Sequence, residues 1–304
     1  MISVGAIHRW ASDPYSLAAR GRAPSTSAPR DGRAIPCVVT IAGSDSGGGA
    51  GIQADLKAFA ACGVHGMTAI TAITAQNTVA VTAVEQVSPA MILAQVRAVA
   101  TDIGIDAVKI GMVSTVEAIE AVAAALDELD DNTPVVLDPV MVAESGAVLV
   151  PTEARSALLE LLIPRATVIT PNLPEAKVLV GSVDEVDLDE LVRELFALGP
   201  ACAVLTGGHA EDLVDRFYDG EEVVIIGGER FAAGAAHGSG CTHASALAAH
   251  LALGATPLEA ARQAKVIASY AVRDGIRSVG EGSGPVNVLG IGRDFQGQKP
   301  TPLA

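Results

Sequence analysis

From residue 36 onward, the chain alternates short apolar runs with longer stretches in which apolar residues recur at helical spacing. The run Cys37–Ala42 predicts a buried strand, Gly51–Cys62 predicts a helix, and Met67–Ala75 predicts the next strand. Repeated strand–helix units form a mostly parallel sheet, because each helix returns the chain to the start of the next strand and covers one face. We therefore predict one α/β domain over residues 36–290, with helices on both faces of a central sheet.

The same pattern continues to the end of this region. The further predicted strands are 107–112, 135–137, 167–170 and 201–206, with a hairpin of 216–218 and 222–226 around Asp219-Gly220. The further predicted helices are 89–102, 115–129, 151–162, 174–180, 188–198, 241–253 and 257–272. In open sheets of this class, ligands bind beyond the carboxyl ends of the strands. Polar residues that follow the strands are therefore the first candidates for a functional site.

The composition limits the possible partners. Half of the residues are hydrophobic and 18% are charged, which supplies a large core and excludes a disordered chain. The net charge is −15 and no run of Lys and Arg occurs, so we expect no binding to nucleic acid. Residues 58–84 contain no Asp, Glu, Lys or Arg, but Gly, Gln, Asn and Thr interrupt the stretch, and we expect no membrane span. The four cysteines are widely spaced, which predicts reduced thiols and a cytoplasmic protein.

The two ends of the chain lack this organisation. Residues 1–34 contain five Arg and two Asp, a net charge of +3, and have neither helical nor strand periodicity. Arg- and Ser-rich segments that are poor in acidic residues occur in targeting peptides, but this segment shows no amphipathic helix. We expect residues 1–35 to form a disordered N-terminal tail and residues 291–304 to form a C-terminal tail.

A glycine-rich segment, Ala42 to Gly51, follows the first predicted strand and leads into the helix that contains Asp55. Glycines allow the backbone to approach a ligand or to adopt a positive φ. The segment is not a Walker A loop, because no Gly-Lys-Ser/Thr sequence follows it. A dinucleotide-binding fold is also disfavoured, because residues 56–84 lack the acidic residue that would bind the ribose. The segment is either a ligand-binding loop or a tight turn into the helix.

Gln76 lies at the end of the second predicted strand, in the sequence Ala75-Gln76-Asn77-Thr78. Its side-chain amide offers both a hydrogen-bond donor and an acceptor, which suits a flat heterocycle with a ring nitrogen beside an amino group. The alternative is the polar start of an ordinary loop.

The segment from Thr170 to Glu175 also follows a predicted strand. As a structural element it is a helix start, with Asn172 as the cap and Glu175 three residues later in a variant of the capping box. As a functional element, the Asn and Glu oxygens beyond a strand end are suited to Mg²⁺, bound directly or through water.

The sequence Gly238-Ser239-Gly240-Cys241 enters a long Ala-rich helix. Backbone N–H groups at a helix start form an anion site, and a cysteine at that position would have its thiolate stabilised. The alternative for Cys241 is a small apolar side chain that packs at the helix end.

Together and in this order, these segments resemble the hydroxymethylpyrimidine/phosphomethylpyrimidine kinases of thiamine biosynthesis, within the ribokinase-like superfamily. The matching segments are 40–45, 49–57, 75–78, 109–112, 138–141, 170–175, 207–209, 237–242 and 284–286. The resemblance implies a ribokinase-like α/β fold, usually a homodimer. It implies that ATP and Mg²⁺ are used to phosphorylate the hydroxymethyl group of a pyrimidine and then its monophosphate.

The resemblance also implies roles for individual residues. The implied pyrimidine-site residues are Gly43, Asp55, Gln76 and Met112. The implied cofactor residues are Asn172, Glu175, Thr206 and Gly208, with Mg²⁺ held by Asn172 and Glu175 through water. The implied catalytic residues are Gly238 and Gly240 as the anion hole and Cys241 as the base.

Two positions depart from the usual pattern of this family. Glu144 and Thr206 stand where the family often has a basic residue. An anionic Glu144 near bound phosphate is expected to penalise the second phosphorylation more than the first, because the second step gathers more negative charge.

Two other functions are compatible with parts of the pattern. A pyridoxal kinase of the same superfamily would phosphorylate a similar hydroxymethyl heterocycle, although Gln76 favours the pyrimidine. A non-catalytic pyrimidine-binding regulatory domain is expected to have lost Cys241 or the Mg²⁺ motif, and this chain keeps both.

Overall fold

The computed structural model describes residues 33–141, 149–182, 186–207, 214–228, 231 and 235–292. The strands are β1 (Cys37–Asp45), β2 (His65–Gln76), β3 (Val81–Gln86), β4 (Ala107–Ile110), β5 (Val135–Leu137), β6 (Val168–Ile169), β7 (Cys202–Leu205), β8 (Asp215–Tyr218) and β9 (Val224–Ile226). They form one sheet in the order β3-β2-β1-β4-β5-β6-β7-β8-β9. The six strands from β2 to β7 in this order are parallel, and β3, β8 and β9 pair antiparallel at the two sides. The predicted mostly parallel sheet is confirmed.

The connections of the parallel strands are largely helical. The helices are α1 (Gly51–Cys62), α2 (Pro89–Asp102), α3 (Val116–Leu126), α4 (Thr152–Ala157), α5 (Leu173–Val180), α6 (Leu188–Ala197), α7 (Ser239–Ala252) and α8 (Pro257–Arg273). Helix α4 continues into a π-helical turn, Leu158–Leu162, and a 3₁₀ turn, Ile163–Arg165.

The helices lie on both faces of the sheet, as predicted. Neighbouring residues of one strand enter different core clusters, because successive side chains of a strand point to opposite faces. On β5, Leu137 packs in a cluster with Ile92 of α2, whereas Val136 packs in a second cluster with Phe59 of α1 and Leu247 of α7. The second cluster therefore places α1 and α7 on the same face of the sheet.

One strand was missed in the sequence. No strand or helix was predicted for residues 81–86. They form β3, which pairs antiparallel with β2, with Thr74 opposite Val84. The side chains of β3 are almost all exposed, so the strand buries too little to give an apolar alternation. Among the described residues, no helix is both long and apolar enough to cross a membrane.

Arg33, just before the predicted domain, contacts the loop that precedes β4. Arg33 donates hydrogen bonds from Nη1 to the carbonyl of Ile103 (2.7 Å) and from Nη2 to Asp106 Oδ1 (3.0 Å). Asp106 is buried and also accepts a hydrogen bond from the backbone N–H of Cys37 at 2.7 Å. This contact lies at the amino edge of the sheet, opposite the candidate site.

Candidate active site

A single carboxylate organises the glycine-rich segment after β1. Asp45 accepts hydrogen bonds from the backbone N–H groups of Gly47 (2.7 Å), Gly49 (3.0 Å) and Ala50 (2.8 Å). His237 Nε2 lies 3.0 Å from Asp45 Oδ2, so the same carboxylate ties the loop to the chain that enters α7. Burial raises the pKa of Asp45, but these hydrogen bonds outweigh it and hold the pKa below its usual value.

Two glycines in this region are required by close backbone contacts. A Cβ on Gly51, which has φ +55°, would lie 2.3 Å from the carbonyl oxygen of Gly43. A Cβ on Gly238, which has φ +84°, would lie 1.9 Å from the carbonyl oxygen of Gly49. The glycine loop and the start of α7 are therefore in direct backbone contact, and this juxtaposition brings the first and last predicted motifs together.

A buried cation lies beneath these two loops. Lys109, on β4, is fully buried, and its Nζ lies 3.0 Å from Asp55 Oδ1 and 3.7 Å from Asp138 Oδ2. Asp55 is on α1, and Asp138 directly follows β5. The two carboxylates raise the pKa of Lys109 by more than burial lowers it, so Lys109 is a permanent cation at neutral pH.

Asp55 faces inward, toward this cation. Its Oδ2 accepts a hydrogen bond from Thr40 Oγ1 (2.7 Å), and its Oδ1 accepts one from Ser245 Oγ (2.7 Å). Together with the ion pair to Lys109, these hydrogen bonds give both carboxylate oxygens of Asp55 a partner within the protein. The Asp55 side chain has no exposed surface. The structure therefore places Asp55 at the base of the site, where it supports Lys109 and α7.

The other predicted pyrimidine-site residues lie at the carboxyl edge of the sheet. A Cβ on Gly43 would lie 2.5 Å from Met112 Cε, so the Met112 side chain packs against the backbone of Gly43. Gln76 ends β2 and is partly exposed, and its Oε1 accepts a 3.2 Å hydrogen bond from Thr74 Oγ1. Ser46 links the two strand ends through hydrogen bonds to the backbone of Gln76.

Asn172 and Glu175 form a complete capping box at the start of α5. Asn172 Oδ1 accepts from the Glu175 N–H, and Glu175 Oε2 accepts from the Asn172 N–H, both at 3.0 Å. Thr206 pairs with this segment, since its N–H donates to the Pro171 carbonyl at 2.9 Å. The structural interpretation of this motif is correct, and the Glu175 carboxyl group also accepts a backbone hydrogen bond from Met141.

Beside this motif lie two buried carboxyl groups, Glu175 and Asp138. Burial raises the pKa of Glu175 to about 8, and the negative charge of Asp138 acts in the same direction. Burial likewise raises the pKa of Asp138, and Lys109 only partly opposes this. Asp138 Oδ2 is buried and makes no hydrogen bond, and its nearest cation is Lys109 Nζ at 3.7 Å. These two carboxyl groups offer the hard oxygen donors that Mg²⁺ prefers, and a bound cation would favour their ionised forms.

This pair is a small ligand set. The described residues contain no group of three or more His, Cys, Asp or Glu arranged to hold a metal ion. Mg²⁺ commonly uses one or two carboxylates together with water and substrate phosphates.

Cys241 lies in the first turn of α7, half-buried, near Lys109 and both carboxylates. Burial raises its pKa to about 12; Lys109 lowers the pKa, whereas the negative charges of Asp55 and Asp138 raise it further. The expectation of a stabilised thiolate at Cys241 is therefore wrong. The helix start does supply open space at Gly240, where an added Cβ would meet nothing within 4 Å.

Several unpartnered polar atoms surround this part of the site. The buried side-chain atoms that lack a hydrogen-bond partner in the described residues include Asp138 Oδ2, Thr170 Oγ1, Thr242 Oγ1 and His243 Nδ1. Asp138 and Thr170 follow neighbouring strands, and Thr242 and His243 lie near the start of α7. Buried polar groups are normally paired with protein, water or ligand, so the atoms of Asp138 and Thr170, at the ends of the paired strands β5 and β6, favour a polar ligand at this edge. Gly208 and Glu144 lie outside the described residues.

Comparison with known proteins identifies the family. The sequence pattern of the phosphomethylpyrimidine kinases matches residues 45–287. The chain belongs to this family. It is 45% identical over 258 residues to a hydroxymethylpyrimidine/phosphomethylpyrimidine kinase of Synechococcus elongatus, an alignment that covers 83% of this chain and 97% of the relative. The predicted family and enzyme class, a phosphotransferase, are confirmed, and a kinase of this family uses ATP.

Solved structures confirm the ribokinase-like fold. The phosphomethylpyrimidine kinase of Clostridium difficile superposes with a TM-score of 0.67 at 42% identity, covering 76% of this chain and 96% of the other. The pyridoxal kinase of Staphylococcus aureus, in complex with AMP-PCP and pyridoxal, superposes with a TM-score of 0.76 at 33% identity. That alignment covers 86% of this chain and 96% of the other.

Sequence reasoning did not assign a role to Lys109, Asp138, Asp45 or Asp215. One signal was available: Lys109 interrupts an otherwise apolar strand, Ala107–Ile110. A lone charge inside a strand that is buried on both faces requires a buried counter-charge. Its partners could not be named from the sequence, because Asp55 lies 54 residues away.

Proposed function

We propose that this kinase transfers phosphate from ATP to 4-amino-5-hydroxymethyl-2-methylpyrimidine and then to its monophosphate, in thiamine biosynthesis. The observation that carries the proposal is the juxtaposition of two sites at one sheet edge. Gly43 of β1, Gln76 at the end of β2 and Met112, which follows β4, lie at this edge, and the start of α7 brings Cys241 near Lys109. The names of the relatives support the same substrates.

The pyrimidine is expected to lie against Gly43 and Met112, with the Gln76 amide at its polar edge. Gln76 supplies the donor and acceptor that an aminopyrimidine requires. Asp55 contributes indirectly, because its oxygens hold Lys109, Thr40 and Ser245. Apolar contact from the Met112 side chain supports a flat ring.

The transferring phosphoryl group is expected to bind at the start of α7. The backbone N–H groups of Gly238–Cys241 lie at the positive end of the helix dipole, which favours an anion. Gly240 has open space at its Cα, so a ligand can approach the backbone there. Charge neutralisation of this kind accounts for most of the protein's contribution to phosphoryl transfer.

A Mg²⁺ ion, when bound, would neutralise phosphate charge near Asp138 and Glu175. These carboxyl groups would hold it directly or through water, with Asn172 fixing Glu175 through the capping box. Thr206 and Gly208 are proposed to contact the nucleotide. Mg²⁺ itself is part of the proposal and rests on the unpartnered oxygen of Asp138 and the raised pKa of Glu175.

Cys241 is proposed as the group that accepts the hydroxyl proton. Because its pKa is about 12, its thiolate is scarce at neutral pH. In a loose transition state, the alcohol needs little activation before the phosphoryl group leaves ATP. Removal of a general base typically costs 10²- to 10⁴-fold in rate, so Cys241→Ala should lose about 100-fold or more in turnover while nucleotide binding is retained.

The experiment that tests the function is ADP release by the purified protein with hydroxymethylpyrimidine, its monophosphate and pyridoxal, each with ATP and with or without Mg²⁺. Turnover of both pyrimidines is the expected result. Turnover of pyridoxal alone would instead support the related pyridoxal kinases, whose fold this chain shares. Pyrimidine binding without any ADP release would indicate a regulatory domain.

A homodimer located in the cytoplasm, without nucleic-acid partners, is also proposed. Strand β3 is one of the two edge strands of the described sheet, and Ile73 on β2 and Val84 on β3 are exposed. Open strand edges with apolar side chains favour pairing with another chain. Light scattering of the purified protein measures its mass directly, and a monomeric mass would contradict the dimer.

A further inference from the structure

A second buried carboxylate, Asp215, lies at the start of β8 with 1% of its surface exposed. Its Oδ1 accepts hydrogen bonds from the Gly207 N–H (2.8 Å) and from Lys265 Nζ (2.6 Å). Its Oδ2 lies 3.1 Å from His243 Nε2. Burial raises the pKa of Asp215, but His243, Lys265 and Gly207 outweigh it and hold the pKa below its usual value. The carboxylate is therefore ionised and has a partner on three different elements.

These partners lie on two sides of the proposed nucleotide site. Gly207 follows Thr206, just after the end of β7. The N–H of Thr206 donates a hydrogen bond to the Pro171 carbonyl, beside the capping box. His243 lies two residues after Cys241 on α7, the helix that supplies the proposed phosphoryl site. Lys265 lies on α8, which packs against α7. Asp215 thus connects the loop after β7 to the helix that carries the anion hole.

We propose that Asp215 is a positioning residue for nucleotide binding: it fixes the backbone of Gly207 against α7, so that ATP meets both in a prearranged geometry. The inference rests on the proposed function, because it assigns Gly207 and the start of α7 to the nucleotide site. Asp215 itself is too buried to touch ATP. Preorganised donors bind an anion better than mobile ones, because less ordering is required on binding.

The alternative is that Asp215 only stabilises the fold, and Asp106 provides a matched control for that. Asp106 is equally a buried carboxylate that accepts one backbone N–H, from Cys37, and one cationic side chain, from Arg33. It lies at the amino edge of the sheet, away from the proposed site. If both carboxylates are merely structural, their asparagine variants should behave alike.

The test compares Asp215→Asn and Asp106→Asn by calorimetric titration with Mg·AMP-PCP and, separately, with hydroxymethylpyrimidine, alongside the melting temperature. We expect Asp215→Asn to weaken AMP-PCP binding about 10-fold or more and to change pyrimidine binding less than about twofold. Asp106→Asn should lower the melting temperature and leave both affinities within about twofold. Equal AMP-PCP affinities in Asp215→Asn and the wild type would overturn the proposal.

A milder pair of variants keeps the proposal testable if Asp215→Asn does not fold. His243→Leu removes one partner of Asp215, whereas His243→Gln retains an N–H donor near the same position. AMP-PCP binding should weaken in His243→Leu and recover in His243→Gln, and equal affinities in the two variants would refute the positioning role. Wild-type protein that binds AMP-PCP but phosphorylates no pyrimidine would contradict the proposed substrate alone. Wild-type protein that binds no nucleotide would refute both.

Discussion

Replacing Lys109 with Met removes the cation that two buried carboxylates share. Lys109 Nζ lies 3.0 Å from Asp55 Oδ1 and 3.7 Å from Asp138 Oδ2, and both the amine and Asp55 are fully buried. Removing one partner of a buried pair costs about 3–5 kcal/mol, because the other charge is left uncompensated in a medium of low dielectric constant. For a domain of this size, each kcal/mol corresponds to about 2–4 °C in melting temperature. Lys109→Met should therefore lower the melting temperature by about 6–20 °C.

The assay is thermal unfolding followed by circular dichroism, with a double-mutant cycle. In Lys109→Met, the carboxylates of Asp55 and Asp138 are both left without their cation, and adding Asp55→Asn removes one of these two charges. The double variant should therefore lose less stability than the two single variants lose together, by about 0.5–3 kcal/mol. Arg97→Met is the matched control, because Arg97 pairs with Glu128 on the surface and exposed pairs contribute little. A fall in melting temperature for Lys109→Met no larger than that for Arg97→Met would refute the reasoning.

Three further predictions concern the walls of the site. If Cys241 is the base, kcat should rise about tenfold per pH unit between pH 7 and 9, because its pKa of about 12 keeps the thiolate scarce. A flat kcat profile, equal to that of Cys241→Ala, would exclude this role. The pKa of Cys241 is higher in the folded protein than its unfolded value of 9.0, so the free energy of unfolding should also fall as the pH rises above about 9. Gly238→Ala should destabilise the protein far more than Gly240→Ala in thermal unfolding, because only the first Cβ meets a backbone oxygen, that of Gly49; similar melting temperatures would show that the loops separate easily. Gln76→Leu should raise KM for the pyrimidine much more than KM for ATP, and an equal change in both would remove Gln76 from the pyrimidine site.

Much of the architecture could be predicted from local sequence. Gly51–Cys62 and Pro89–Asp102 were predicted with the bounds that α1 and α2 have, because Gly63 ends the first in a left-handed conformation and Ser88 caps the second. Hydrophobic periodicity and end signals such as these act within a few residues, so they are visible without the fold. The strand β3 gave no such signal, because it lies at the edge of the sheet with most of its side chains in water.

The order of motifs along the chain determined the family, and with it which strand ends would carry ligand-binding residues. The tertiary structure alone decided how the charges are paired. Asp55 turns inward to Lys109, which was invisible in the sequence because the two lie on α1 and β4 and meet only when the helix packs on the sheet. The pKa of Cys241 was predicted in the wrong direction for the same reason. A helix start stabilises a thiolate locally, but burial beside two carboxylates has the larger effect, and burial exists only in the folded protein.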